Sequence, residues 1–554
     1  MSSLTRRLQN NFYLILAALL TLGILLDAGV FHIGENMRQK AFDFMVRHRV
    51  MIPQADPDIV IVDINEASLA ALAPEYGRWP WPRQVFGEFV EKLQAQQPKA
   101  IVFDILFADA DIYNPDSDAY FNEVIKATDN VFFPFLRLPQ EHDALSQVSP
   151  GAIPGVRFSG DVAPTNTTVA VVLPHFDGAL KPDRLGTHNI YPDADGIVRE
   201  YRLWQDKDGW RLPSLPLQVG TYAAMNSLPP PQNMLINWRG GPFTYANVSF
   251  SDVYLDMTAK TQKRPSNEFT GKIVIIGSTA PSLFDLKATA MAKIHPGVEI
   301  LATAIDNIKH GDYLHFPRGS TLYVLMSLLL IWSTATAFFR NVDRDRFAKM
   351  FGFSQTGLLA VSYLGINLTN TYLDLTGPVT WAVAYFSIAK MYALANDRAM
   401  QRWLEVGIKP GQAGLQVKMM PVLIESPIPP GDALMAKVKR QCEALAPHAD
   451  KVELLKGTQS GIWGLFGDMI VITWTEPAGN SPSQHAGAEA EAIAGALPGT
   501  IRQLGLPAGT ITRYSLHDGQ LNGSQPLGPQ WRILFAQAVI RLEHPDQHAK
   551  ETVA

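Results

Sequence analysis

The sequence predicts an α/β protein in three parts: an α/β domain outside the membrane, four membrane-spanning helices, and a C-terminal α+β domain of ferredoxin-like order. Three observations carry this. Long apolar stretches, almost free of charge, stand at 8–26, 319–339, 350–373 and 375–389. Between the first two lie short β-branched runs, DIVIVD, AIVFDILF and KIVIIG, of the kind that strands covered on both faces require. After Arg398 the chain turns soluble, with six elements in the order β-α-β-β-α-β.

Bulk properties bound the answer. A chain of 554 residues exceeds one core, because single cores stop growing near ~250–300 residues. The net charge of −5, with 18% charged residues, supplies no field that would draw nucleic acid, so no such partner is expected. A single cysteine, Cys442, excludes an intrachain disulfide framework, so any part outside the cytoplasm must fold on burial alone. Cys442 itself reads as a small buried hydrophobe.

Each apolar stretch is near the ~20 residues a helix needs to cross the hydrocarbon layer, although the fourth is short and borrows its flanks. Basic residues set the orientation. Arg6 and Arg7 precede the first stretch, Arg340, Arg344, Arg346 and Lys349 crowd the second connection, and the third, around 367–376, has none. Both termini are therefore expected in the cytoplasm, with 1–34 as N-terminus and first helix, 35–318 outside, 319–397 as helices two to four, and 398–554 inside. An uncleaved anchor is favoured over a signal peptide, since no small-x-small cleavage site comes after the apolar run. Transport is not expected: no charge stands at mid-membrane, and Asp27 and Lys390 lie near helix ends.

In the external part, Pro82–Gln96 carries Val85, Phe86, Phe89, Val90 and Leu93 at helical spacing between two strands, which is a βαβ unit. The preceding GRWPWPR places Pro82 in the first helical turn and Pro80 where it keeps Trp79 extended, so the prolines aim the tryptophans. Arg78, Arg83 and Asp104 fall beside strand ends or a helix N-terminus, the edge where α/β sheets bind small molecules. With Trp79 and Trp81 they form the candidate ligand-sensing set. The same residues also fit a structural role, the tryptophans capping the core and Arg83 clamping Asp104 or Asp63. Asp193, Asp195 and Arg199 in PDADGIVR lack the spacing of a calcium loop and read as a tight turn into a strand. Pro296-Gly297 with Glu299 reads as a helix entrance. His175, His188 and His295 are scattered, and neither a metal site nor a cofactor is predicted.

The succession DINEASLAAL, GRWPWPR, AIVFDILFADAD, HNIYPDADGIVRE, INWRGG, GKIVIIGSTAPSLFD and HPGVEILATAIDNI resembles the second class of CHASE extracellular sensors over roughly residues 40–315. The resemblance implies a periplasmic sensory domain for a small molecule or protein, set after one membrane helix and before three more in a bacterial inner membrane. Leu301 stands where that family often has a histidine.

The C-terminal part reads as strand 415–424, helix 432–445, strand 451–455, strand 469–474, helix 485–504 and strand 511–517, with a final amphipathic stretch at 531–543. GLFGDMIVITW, RYSLHDGQLNGSQPLG and RILFAQAVIRLE resemble motifs of class III nucleotide cyclases, in the right order, over roughly 412–545. Cyclisation needs two carboxylates for two metal ions, a base-recognition pair, and polar or cationic groups around the triphosphate. Asp468 matches the second metal carboxylate. Only Glu425, in a Pro-rich turn, stands for the first. Gly464 replaces the base-reading lysine, Leu534 and Gln537 replace an aspartate and an asparagine, and Arg541 stays in register. Glu425, Asp468, Gln537 and Arg541 thus form a vestigial site. These departures imply a non-catalytic, cyclase-like domain that dimerises and contacts a cytoplasmic protein partner; an active adenylate or guanylate cyclase, or a structural subunit of an envelope complex, are the alternatives.

Overall fold

The computed structural model describes residues 11–160, 164, 166–224, 231–283, 285–317, 320–340, 342–404, 415–426, 432–455, 469–477, 484–506, 510–522, 525, 527–543 and 550–553. Arg6, Arg7, Gly464 and Asp468 lie outside these residues. The chain divides into two compact units: Asp27–Met326 with Lys349–Val379, and Met1–Leu26 with Ser327–Ala348 and Thr380–Ala554.

The first unit is built on a mainly parallel sheet. Its strands β1 (Ile59–Asp63), β2 (Ala100–Phe103), β3 (Val131–Arg137), β4 (Val171–Val172), β5 (Leu185–Thr187), β6 (Ala246–Ser249) and β7 (Ile273–Gly277) run in the order β6-β1-β7-β2-β3-β4, with β5 also on β3. Of these, β4 is antiparallel to its neighbour. Alternate residues of the apolar runs feed two cores. Val60, Val62, Ile101, Phe103, Val274 and Ile276 face one, with Val85, Phe86, Phe89, Val90 and Leu93 of the intervening helix. Ile59, Ile61, Val102, Ile273 and Ile275 face the other, with Leu215, Val219, Val298 and Ile305. Burial on both faces is why these strands lack the polar alternation of a half-exposed sheet.

The helices of this part of the chain are α1 (Phe12–Leu26), α2 (Ile33–Arg47), α3 (Glu66–Tyr76), α4 (Arg83–Gln94), α5 (Pro115–Lys126), α6 (Leu215–Ala223), α7 (Phe250–Thr258) and α8 (Gly297–His310). The entry to α4 differs from the prolines' predicted roles. Pro82 has ψ 140° and is the residue before the helix, not part of its first turn, and the Trp79–Pro80 peptide is cis. The second strand also ends earlier than the AIVFDILF run: after Asp104 donates its N–H to the Ile276 carbonyl, the chain leaves the ladder and Phe107 turns back into the core.

A π-helical turn, Asp27–Phe31, and a left-handed His32 at φ 52° separate α1 from α2. Three further long helices come after the sheet domain: α9 (Ser320–Phe339), α10 (Arg344–Leu368) and α11 (Thr376–Leu404). Among the described residues, Phe12–Phe31 and Thr321–Phe339 are long and apolar enough to cross a membrane. The helices α10 and α11 are not bounded as the predicted third and fourth spans are, since α10 begins in the charged Arg344-Asp345-Arg346 stretch and α11 runs on past Ala389.

Within the second unit, Phe12 stacks on Tyr392 at 3.7 Å and the Tyr385 hydroxyl donates to the Tyr13 carbonyl at 3.0 Å. Its C-terminal part comprises β8 (Leu415–Glu425), α12 (Asp432–Leu445), β9 (Lys451–Leu455), β10 (Met469–Pro477), α13 (Gln484–Gln503), β11 (Ile511–Tyr514), β12 (His517–Leu521), α14 (Leu527–Glu543) and β13 (Lys550–Val553). The antiparallel sheet runs β9-β10-β8-β11-β13, with β12 on the other half of β8. The predicted strand 511–517 is thus two strands, broken at Ser515, whose buried hydroxyl donates to the Ala538 carbonyl. One sheet face packs Met420, Val422, Ile470 and Ile472 against Met435, Val438, Cys442 and Ile493; the other packs Val417, Met419 and Val471 against Trp531, Leu534 and Phe535 of α14.

Candidate functional site

The carboxyl ends of β1, β7 and β2 lie side by side, and titratable groups gather there. Asp104, one residue past β2, has its side chain 6% exposed and stands 3.4 Å from His188 Nδ1. His188 arrives from β5, whose parallel pairing with Phe133–Phe135 brings it to this edge. Burial pushes the Asp104 carboxyl well above the usual carboxylate range, the like charge of Asp285 adds to this, and Lys287 opposes it. Burial lowers His188, so the neutral form of each partner is favoured. Asp285 pairs with Lys287 at 3.6 Å. Its carboxylate lies over Gly297, where a Cβ would fall 2.0 Å from Oδ2; the lack of a side chain lets an anion sit at the N-terminal end of α8.

Beside this group, Asp63 at the end of β1 accepts from Thr279 N at 2.8 Å and Thr279 Oγ1 at 2.6 Å. Glu299, in the first turn of α8 and 1% exposed, is pushed up to about 7 by burial, with Asp63 adding to the shift and the Thr244 and Tyr245 N–H groups opposing it. Its Oε1 has no hydrogen-bond partner among the described residues.

Of the five residues singled out from sequence, Asp104 is part of this group. Arg78 is exposed. Trp79 is half-buried, edge-on to Trp81 at 5.1 Å, and Trp81 is fully buried and stacked on Phe250 at 5.3 Å. Arg83 does not clamp Asp104 or Asp63: its guanidinium lies over the Phe107 ring at 5.4 Å and donates to the Trp81 carbonyl at 3.2 Å. Those two carboxylates take His188 and Thr279 instead. The GRWPWPR stretch therefore builds an aromatic wall, and the charged edge beside it is made by residues distant in sequence.

The motif arginines form a second kind of centre. Arg199, 3% exposed, is held by three carboxylates: Asp43 through Nε and Nη2 at 2.7 and 2.8 Å, Asp193 at 2.7 Å, and Asp195 at 2.7 and 2.9 Å. The turn of PDADGIVR thus serves to present two carboxylates to its own arginine, and the third comes from α2. Arg239 of INWRGG is similarly bidentate to Asp306 and bonded to Asp312, while Tyr245 donates to Asp306 at 2.8 Å. Asp56, Asp306 and His310 lie close enough together to hold a metal ion. Arg239 and Lys309 already neutralise those carboxylates, so an ion would have to displace both cations.

In the C-terminal domain the described residues of the expected vestigial site, Glu425, Gln537 and Arg541, do not converge. Glu425, at one end of β8, faces Arg513 at 3.6 Å. Gln537 Oε1 accepts from His517 Nε2 at 3.1 Å, and His517 pairs with Met419, six residues earlier on β8 than Glu425, about 20 Å away at ~3.3 Å per residue. Arg541 is exposed. Leu534 is buried, and a Cβ on Gly519 would meet its Cδ2 at 1.9 Å, so this position is packed into core where a base-reading carboxylate would need open space. A cavity of about 470 Å3 lies elsewhere, lined by Gln416, Lys418, Trp474, Glu476, Asp518 and Gln520 among others.

Comparison with known proteins agrees with the sheet domain. No curated protein and no solved structure matches the chain. The family model described as CHASE2 domain matches residues 15–338, more than half of the 554 residues, and so covers α1, the sheet domain with its arginine clamps, and α9. The chain belongs to the CHASE2 domain family.

Proposed function

We propose that this chain is a sensory signal-transduction protein of the bacterial inner membrane, with its CHASE2 domain in the periplasm, four membrane helices, both termini in the cytoplasm, and a dimeric C-terminal domain that acts by protein contact. The carboxyl edge around Asp104, His188 and Asp285 is the sensing end, where a small molecule or protein acts on largely buried, under-paired charges. The observation that carries this reading is the Arg199 clamp. It ties a family-matched loop to Asp43 on α2, and α2 is continuous in the chain with the first apolar helix, so a change in the sensory domain reaches the membrane through bidentate ion pairs. The packed Leu534 and the pairing of Glu425 with Arg513 support a domain without cyclase chemistry.

Two measurements test it. Disulfide crosslinking of Leu394→Cys, in a Cys442→Ala background in native membranes, should change when Arg199→Met is added; an unchanged crosslinking pattern overturns transmission through the clamp. Purified full-length protein with magnesium or manganese and ATP or GTP should make no cyclic nucleotide, whereas product that disappears in Asp468→Ala would establish an active cyclase.

A further inference from the structure

We propose that α2 and the segment Val50–Ile52 form a membrane-interface element lying on the outer leaflet, with phospholipid as its partner. The proposal rests on the reading of α10 and α11 as membrane spans.

Contacts along α2 fix its path. Near its start, Gly34 N–H donates to Asp27 Oδ1 at 3.2 Å, and Asp27 also accepts from Tyr323 near the start of α9. Further along, Arg38 is 3.4 Å from Asp374, just before α11 begins, and Phe42 packs edge-on to Tyr372 at 5.1 Å. At its end, Met45 receives the Ser362 hydroxyl at 3.7 Å, and the Tyr363 hydroxyl donates to the His48 carbonyl. Asp27, Tyr323, Tyr372 and Asp374 sit at or beside helix ends, and Ser362 and Tyr363 stand within the last two turns of α10, all on the side that the span reading places outside. An upright helix would carry Met45 about 16 Å above Gly34, at ~1.5 Å per residue, and could not meet helix ends at both places. The helix α2 therefore runs across those ends, along the membrane plane.

Its two faces differ. Phe42, Met45 and Val46 are buried in a core with Trp238 and Tyr372. The opposite face presents Met37, Lys40 and Phe44 to the exterior, Met37 and Phe44 being 56% and 62% exposed, while Arg47 at its end donates through Nε and Nη2 to the Ala290 carbonyl. Large apolar side chains on either side of Lys40 on an exposed helix face match an interfacial helix that buries the apolar groups at acyl-chain level and offers its lysine to headgroup phosphates. The chain then exposes Val50, Met51 and Ile52 in succession, at 82%, 57% and 47%.

Two details fit this run to lipid rather than water. The N–H groups of Val50 and Met51 both donate to Asn367 Oδ1, at 3.0 and 3.2 Å, so these peptide donors are satisfied without solvent. The neighbouring Arg49 turns inward, 6% exposed, onto Asn237 Oδ1 and the Ile366 carbonyl. Asn367 stands on α10, whose exposed Val361, Leu364 and Leu368 keep helical spacing on one side, so the apolar run continues a stripe that the span reading already places in lipid.

The test is spin-label accessibility of the full chain, in a Cys442→Ala background, reconstituted in phosphatidylethanolamine and phosphatidylglycerol vesicles. Labels go at Phe44→Cys and Met51→Cys, with Phe353→Cys on α10 as the span control and Lys293→Cys as the water control. Oxygen should collide several-fold more than a nickel chelate at 44, 51 and 353, and the ratio should invert at 293. Nickel-dominated collision at 44 and 51 with oxygen-dominated collision at 353 overturns the interface element and leaves the spans. Nickel dominance at 353 as well overturns both. Protection from both reagents at 44 and 51 also overturns the proposal, because it means a protein surface covers them.

Discussion

The base of the sensory domain and the carboxyl edge of its sheet treat buried charge in opposite ways. At the base, Arg199 meets three carboxylates and Arg239 meets two, bidentate to all but Asp193. At the edge, Asp104 has a histidine that burial keeps neutral, and one Glu299 oxygen has no partner among the described residues. Fully paired charges stay ionised and fix the elements that carry them, here α2 and α8. Under-paired ones are held neutral, and their state tracks the surroundings. The charge-locked end of the domain includes α2, which follows the first apolar helix in the chain.

The comparison breaks most severely if the base is not charge-locked. Replacing Arg199 with Met leaves Asp43 buried beside two other carboxylates without a cation, and should cost about 3–5 kcal/mol of stability, read as a lowered melting temperature of the detergent-solubilised protein. A shift within the scatter of the measurement would mean the clamp carries no weight.

The edge makes the next prediction, through pH. Glu299 is raised in the folded state from about 4.5 to about 7, so the native protein holds a proton that the unfolded chain gives up. Its stabilising contribution is complete below about 4.5 and is lost as pH rises through 7, a span of about 3 kcal/mol at ~1.4 kcal/mol per pKa unit. His295 acts in the opposite sense: burial lowers it to about 4, and its contribution is lost as pH falls below 6.5. Unfolding of Glu299→Gln from pH 4.5 to 8 should show the alkaline loss flattened and the acid loss unchanged; an unaltered alkaline slope would remove Glu299 from the responsive set.

The smallest effect sharpens the boundary between wall and edge. Arg83→Gln should lose about 1 kcal/mol from its contact with the Phe107 ring while leaving the Asp104–His188 pair in place, seen as an unchanged His188 titration by NMR of the isotope-labelled chain. A shifted His188 would place Arg83 among the charged edge after all.

Legibility in the sequence tracks the range of the interactions. The parallel strands were legible because burial on both faces writes itself as β-branched runs, and the C-terminal elements because each sheet face alternates toward its own helices. The site was legible only in part. Asp104 announced itself by its place after a strand, but His188 resembled a stray histidine until β5 paired beside β3, and Asp43 sits 156 residues before the arginine it holds. An acidic residue between Phe42 and Phe44, where an apolar face was forming, was the available signal, and it does not say which cation answers. The conformation of the Trp79–Pro80 bond and the extended Pro82 were likewise invisible, because proline fixes φ but neither ω nor ψ. Leu534 was the reverse case, since its apolar nature alone foretold burial.

Arg49 joins three parts of the chain through one guanidinium. It reaches Asn237 of the sheet domain, the Ile366 carbonyl of α10 and Asn370 in the turn before α11, while His315 donates its N–H to the Asn370 carbonyl and accepts from the Tyr372 N–H alongside. The turn joining α10 to α11 is therefore stitched to the domain rather than hanging beneath it. A twist applied to the sheet would be felt there as torque on a splinted joint, and a chain lengthened by even a few residues at this seam would turn a drive shaft into a tether.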